Sequence, residues 1–69
     1  MAESAAVALR TSRALAQLPP AQREAVLLHH AAGCSFREIA AITGVPAFTA
    51  ASRCRLALAR LRRLMGGSR

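Results

Sequence analysis

The chain has 69 residues, enough for one domain and too few for a deep catalytic cleft, and a domain of this size buries only about 60% of the surface its unfolded form exposes. Hydrophobic residues make up 54% of it but aromatics only 3%; Ala and Leu supply most of the apolar side chains and β-branched residues are scarce, which favours an all-α fold over a sheet. Ten basic residues, every one an arginine, stand against three acids for a net charge of +7, a field that favours polyanions, with nucleic acid ahead of an anionic membrane or an acidic protein.

Punctuation divides the chain into four helical pieces, expected near residues 4–18, 20–32, 35–43 and 46–65 of a single domain spanning 1–69. Leu18-Pro19-Pro20 closes the first, in which Val7, Ala8, Thr11, Ala14, Leu15 and Leu18 share one helical stripe while Arg10, Arg13 and Gln17 fall opposite. The second starts at Pro20, whose fixed φ suits a first helical turn, and ends at Gly33. Its run Ala25-Val26-Leu27-Leu28 points in all directions, which predicts burial on more than one side. The third opens on Ser35-Phe36-Arg37-Glu38, the spacing of a capping box, and stops at Gly44. The fourth is the most regular, with Ala50, Cys54, Ala57, Leu58, Leu61, Leu64 and Met65 in a stripe about 120° wide. Its other side carries Phe48, Thr49, Ser52, Arg53, Arg55, Arg60 and Arg63.

Residues 35–65 have the spacings of a helix-turn-helix. Ala40 is the small residue expected where the two helices cross, Gly44 supplies a positive φ in the turn, Val45 plugs the core and Ala50 seats the second helix. Val26, Leu28, Ile39, Ala40, Val45, Ala50, Ala57 and Leu61 are expected in one core. The fold class is therefore all-α, a four-helix bundle-like domain with a long C-terminal recognition helix.

A helix of this kind fits the major groove, its N-terminal residues facing base edges and flanking cations pairing with phosphates. The candidate DNA-binding residues are Arg37, Phe48, Thr49, Ser52, Arg53 and Arg55. Arginine can grip guanine with two hydrogen bonds, and Ser or Thr can bond bases or phosphates. Phe48 has two readings, contact with a thymine methyl or packing into the core at the helix start. Arg37 is better placed for a phosphate. Arg60, Arg62 and Arg63 read as a solvated helix end in favourable relation to the helix dipole.

The segments Leu18-Pro-Pro-Ala-Gln-Arg-Glu-Ala-Val-Leu-Leu28, Gly33-Cys-Ser-Phe-Arg-Glu-Ile-Ala40, Thr43-Gly-Val-Pro46 and Ser52-Arg53 resemble region 4 of sigma-70-family factors, and among these the extracytoplasmic-function group. The resemblance covers about residues 14–64. It implies a four-helix fold, recognition of the promoter −35 element in double-stranded DNA through the last helix, docking on core RNA polymerase, an anti-sigma factor as a further partner, and a cytoplasmic bacterial setting. Two positions depart from the family pattern: Phe48 stands where a glycine is usual and Ala51 where a lysine is usual. The family's preceding region, which binds and melts the −10 element, has no counterpart in these residues, so the chain alone is not expected to initiate transcription.

Competing readings leave less trace. A helical protein-interaction module would use the same surface, and gains from the apolar Ala47, Phe48, Ala50 and Ala51. Two cysteines without CxxC spacing suit a reduced compartment. His29, His30, Cys34 and Cys54 make a poor zinc set, since adjacent histidines diverge by about 100° on a helix, so neither a metal nor any cofactor is expected. No apolar run approaches the roughly 18 residues needed to cross a membrane. Paired carboxylates and nucleophiles with a neighbouring base are missing from the sequence, which argues against an enzyme.

Overall fold

The computed structural model describes residues 10–66, and within them every regular element is helical. Helix α1 covers 10–16; Val7, Ala8 and the rest of the expected helix start lie outside the described residues. Its stripe is as the spacing requires, with Ala14 and Leu18 at 3% exposure and Thr11 and Leu15 half-buried, while Arg10, Arg13 and Gln17 face solvent. The last turn tightens through three-residue bonds from Gln17 N to Ala14 O and Leu18 N to Leu15 O, before the two prolines remove the donors a longer helix would need.

Helix α2 is Pro20–Val26, with Pro20 in its first turn and Pro19 extended before it. The single α-helix expected over 20–32 is not what forms. From Leu27 to Ala31 the chain winds as a π turn, closed by Ala32 N to Leu27 O at 3.0 Å. Gly33 (φ +76°) follows in the left-handed region, and Cys34 N bonds Leu28 O at 2.9 Å, a helix stop one residue wider than the usual Schellman closure. His29 occupies the widened turn. Its Nδ1–H donates to Cys34 O at 2.8 Å, and its ring stacks on Phe36 at 4.4 Å between centroids. These tertiary bonds tie the end of the second helical piece to the start of the third and supply the reason for the departure from α geometry.

Helix α3, Phe36–Thr43, begins with the expected capping box: Ser35 Oγ accepts from Glu38 N at 3.1 Å, and Glu38 Oε1 accepts from Ser35 N at 2.7 Å. It ends at Gly44, whose φ of +77° is what selects glycine there, since a Cβ would meet nothing within 4 Å. Helix α4, Ala47–Leu64, follows after Val45 and Pro46. Two arginines close helix ends by donating to carbonyls, Arg23 to Ala16 O and Arg10 to Met65 O, bringing positive charge to the negative end of each helix dipole.

The expected single core is two clusters. One joins Ala25, Ile39, Ala50 and Cys54, with Leu28, Cys34, Phe36 and Val45 packed around them; the other joins Leu18, Val26 and Ala57, flanked by Leu15, Leu58 and Leu61. Ala40 belongs to neither and is half-buried. The small residues at the helix contacts are instead Ala25 on α2 and Ala50 and Ala57 on α4, the last two fully buried. Leu64, placed on the apolar stripe by its spacing, is 40% exposed.

Cys54 completes the α2–α4 contact, its thiol donating to Ala25 O at 3.3 Å. Burial raises the thiol pKa above its ordinary value. The folded chain therefore holds that proton more tightly than the unfolded chain. Below about pH 8.5 both forms are protonated; above it the unfolded thiol ionises first and stability falls until pH passes the folded value, at a slope of at most about 1.4 kcal/mol per pH unit. Denaturant titrations at stepped alkaline pH should show this loss in the parent and not in Cys54→Ala. Ala50→Leu should destabilise the domain by about 1–3 kcal/mol through overpacking, read as a lowered melting temperature. Ala40→Leu should cost less, and equal losses for the two would contradict the placement of the close contact at Ala50.

Candidate nucleic-acid interface

At about 100° per residue, Ala50, Cys54 and Ala57 form one narrow line along α4, and all three are buried against the neighbouring helices. Phe48, Ser52 and Arg55 lie about 160° from that line and within about 60° of one another, so α4 carries them as a group away from the core. Phe48 is 77% exposed. The core reading of this residue is thereby removed. Arg55 is exposed as well, while Ser52 is half-buried, a small side chain between Phe48 one turn before it and Arg55 and Leu56 one turn after.

Thr49 and Arg53 were grouped with these residues by sequence, but they sit on the flank, about 70–110° from the buried line, and both are half-buried. A flank position suits Arg53 better to a backbone phosphate than to a base edge. Arg37 is exposed in the first turn of α3, beside the Ser35 cap. The side-chain hydrogen bonds that arginines make among the described residues are those of Arg10 and Arg23; Arg37, Arg53 and Arg55 are left with their donors turned to solvent. Arg60, Arg62 and Arg63 are exposed toward the C-terminal end of α4.

The first turn of α4 has no side-chain cap, because Pro46 precedes it. Pro46 O accepts from Thr49 N and Ala50 N at 3.0 and 3.1 Å. The result is a helix start with Phe48 as its exposed side chain and half-buried Ala47, Thr49 and Ala51 around it, followed within two turns by Ser52, Arg53 and Arg55. Two exposed apolar residues in the helix-turn-helix were not singled out from the sequence, Ile42 on α3 (59%) and Leu56 on α4 (55%). Periodicity could have found Leu56, which falls well off the buried line.

Residues 8–61 match the family described as "Sigma-70, region 4". The chain belongs to that family. It is also 48% identical over 56 residues to the ECF RNA polymerase sigma factor RpoE of Cereibacter sphaeroides, an alignment that takes in 81% of this chain and 31% of that protein. The region 4 domain here thus spans about a third of the length of the curated relative it matches. No solved structure matches the chain. The family assignment agrees with the resemblance carried by Leu18–Leu28, Gly33–Ala40 and Thr43–Pro46, and makes this a sigma-factor domain with a DNA-binding helix-turn-helix.

Because Phe48 and Arg55 are exposed and outside both clusters, Phe48→Ala and Arg55→Ala should each change the unfolding free energy by no more than about 0.5 kcal/mol. Thermal melts followed by circular dichroism check this, and a loss above about 1 kcal/mol would mean that the outward face is part of the packing.

Proposed function

We propose that this region 4 domain reads the promoter −35 element of double-stranded DNA by laying the N-terminal half of α4 in the major groove, as part of a sigma factor that works with core RNA polymerase in the bacterial cytoplasm. The observation that supports the reading is the outward face of α4, where Phe48, Ser52 and Arg55 project together while Ala50, Cys54 and Ala57 anchor the helix from behind. In this arrangement Arg55 takes a guanine edge, Ser52 a base or phosphate, and Arg53, Thr49 and Arg37 flank the groove and hold the backbone. A net charge of +7 supplies the attraction for the polyanion before any specific contact forms. The domain works by binding and positioning, and no catalytic role is assigned to any residue.

A second reading, docking of a protein, is favoured by a different part of the surface. A groove of about 260 Å³ lies between α1, the π turn and the C-terminal half of α4, lined by Leu15, Val26, Leu27, His30, Leu58 and Leu61 among others. It suits an apolar helix of core polymerase or of an anti-sigma factor. Since it involves the far half of α4, occupation of the groove and of the DNA face are compatible.

Fluorescence anisotropy with labelled duplexes at two salt concentrations tests the DNA reading. Arg55→Ala should cost about 1–3 kcal/mol on the best duplex and little on a scrambled one. A mere phosphate contact would weaken both equally and flatten the salt slope by about one unit. Ala51→Lys, which restores the cation usual in the family, should strengthen binding and steepen the same slope. No DNA binding by the parent or either variant at low salt would overturn this reading in favour of protein docking.

A further inference from the structure

On the outward side of the start of α4 the side chains are apolar, and the half-buried Thr49 stands on the flank. Phe48 is 77% exposed, Ala47 and Ala51 beside it are half-buried, and Phe48 and Ala51 are neighbours one turn apart on the helix surface. The polar part of the face begins only at Ser52 and continues to Arg55. The side chains of this apolar tip carry no donor or acceptor, so they can neither hold a phosphate nor distinguish base edges by hydrogen bonds. The one feature of the major groove that it can read is the C5-methyl group of a pyrimidine.

We propose, resting on the DNA reading above, that Phe48 and Ala51 form a pocket for a pyrimidine C5-methyl group, and that the domain therefore accepts thymine or 5-methylcytosine, and rejects unmethylated cytosine, at one position of its site. Both bases carry the same methyl at the same place in the groove. Their difference, a carbonyl against an amino group at C4, lies on an edge for which Phe and Ala have no partner. Cytosine methylation at that position strengthens binding.

The face also fixes where this position lies. Phe48 and Arg55 are seven residues apart, a rise of about 10 Å along α4, which for a helix inclined to the duplex axis spans at most about three base-pair steps of roughly 3.4 Å. The methyl-bearing pyrimidine thus stands within about four base pairs of the guanine held by Arg55. The mixture of apolar tip and arginines favours DNA over a protein partner for this face. Arg53 and Arg55 follow the tip within two turns and leave their donors to solvent, an arrangement that an apolar protein groove would have to desolvate and a phosphate-lined groove would not.

The test starts from short duplexes enriched by the 69-residue chain from a randomised library. Each thymine is replaced in turn by uracil, which removes only the methyl, and each guanine by 7-deazaguanine, which removes the N7 acceptor. One thymine should show about a four-fold loss of affinity as uracil, the effect of one buried methyl group. At that position 5-methylcytosine should bind about four-fold better than cytosine. In Phe48→Ala both ratios should fall to about one, while the effect of 7-deazaguanine within about four base pairs persists and disappears only in Arg55→Ala. Binding with a guanine preference but no thymine sensitive to loss of its methyl overturns this inference and leaves the DNA reading intact. So does a uracil penalty that survives unchanged in Phe48→Ala. No binding to any enriched duplex at low salt overturns both.

Discussion

Everything in this domain depends on how closely α2 and α3 can approach α4. Helices pack 8–10 Å apart according to the side chains between them, and here those side chains are Ala25, Ala50, Cys54 and Ala57. Ile39, among the described residues the one large side chain wholly without exposure, fills the space they leave. With so little volume at the contact, the side of α4 facing the core is determined within a few tens of degrees. The opposite side is then determined too, so the positions of Phe48, Ser52 and Arg55 follow from three small residues that touch no ligand. The thiol of Cys54, bonded to Ala25 O, adds direction to a contact that would otherwise rest on shape alone.

Much of this was legible in the amino-acid sequence because it is local. Ser35 and Glu38 define the start of α3 through bonds that span three residues, and Gly44 defines its end through a backbone angle. The line Ala50–Cys54–Ala57 follows from helical periodicity. The π turn at Leu27–Ala31 was not legible, because an apolar run suits either winding over so short a stretch. The choice falls to His29, which bonds Cys34 O and stacks on Phe36, partners beyond the helix itself. The division into two clusters was hidden for a related reason: periodicity tells which residues face inward, not which neighbour they meet. Ala40 had the right size and spacing for a helix crossing, yet Ala50 is the residue that is fully buried.

The candidate interface shows the same boundary. Arg55 has the outward position that periodicity assigns to it, and Phe48, which the sequence left between the groove and the core, is exposed. The flank position of Thr49 and Arg53 follows from the spacing of about 100° as well, but their half-burial depends on how far α2 and α3 wrap around α4, which spacing does not count. Membership of the sigma-70 region 4 family gives a general role to the helix-turn-helix, but its two departures, Phe48 and Ala51, are the residues that give this chain's helix start an apolar character. Their meaning comes from exposure and neighbours on the helix, not from the likeness.

The two clusters also divide the molecule into layers that differ in how they come apart. The cluster around Ile39 is made by α2, α3 and α4, whereas the one around Leu18 joins α1 to Val26 and Ala57. Local opening follows the boundaries of such packing units. Detaching α1 uncovers Val26 and Ala57 but leaves Ile39 enclosed and the helix-turn-helix assembled. By that rule α1 is an outer layer over an inner one, and amide hydrogens of α1 should exchange with solvent through a smaller opening than those of α3 and the first half of α4. Whatever grips or releases α1 changes the rigidity of the whole without moving the face that α4 turns outward.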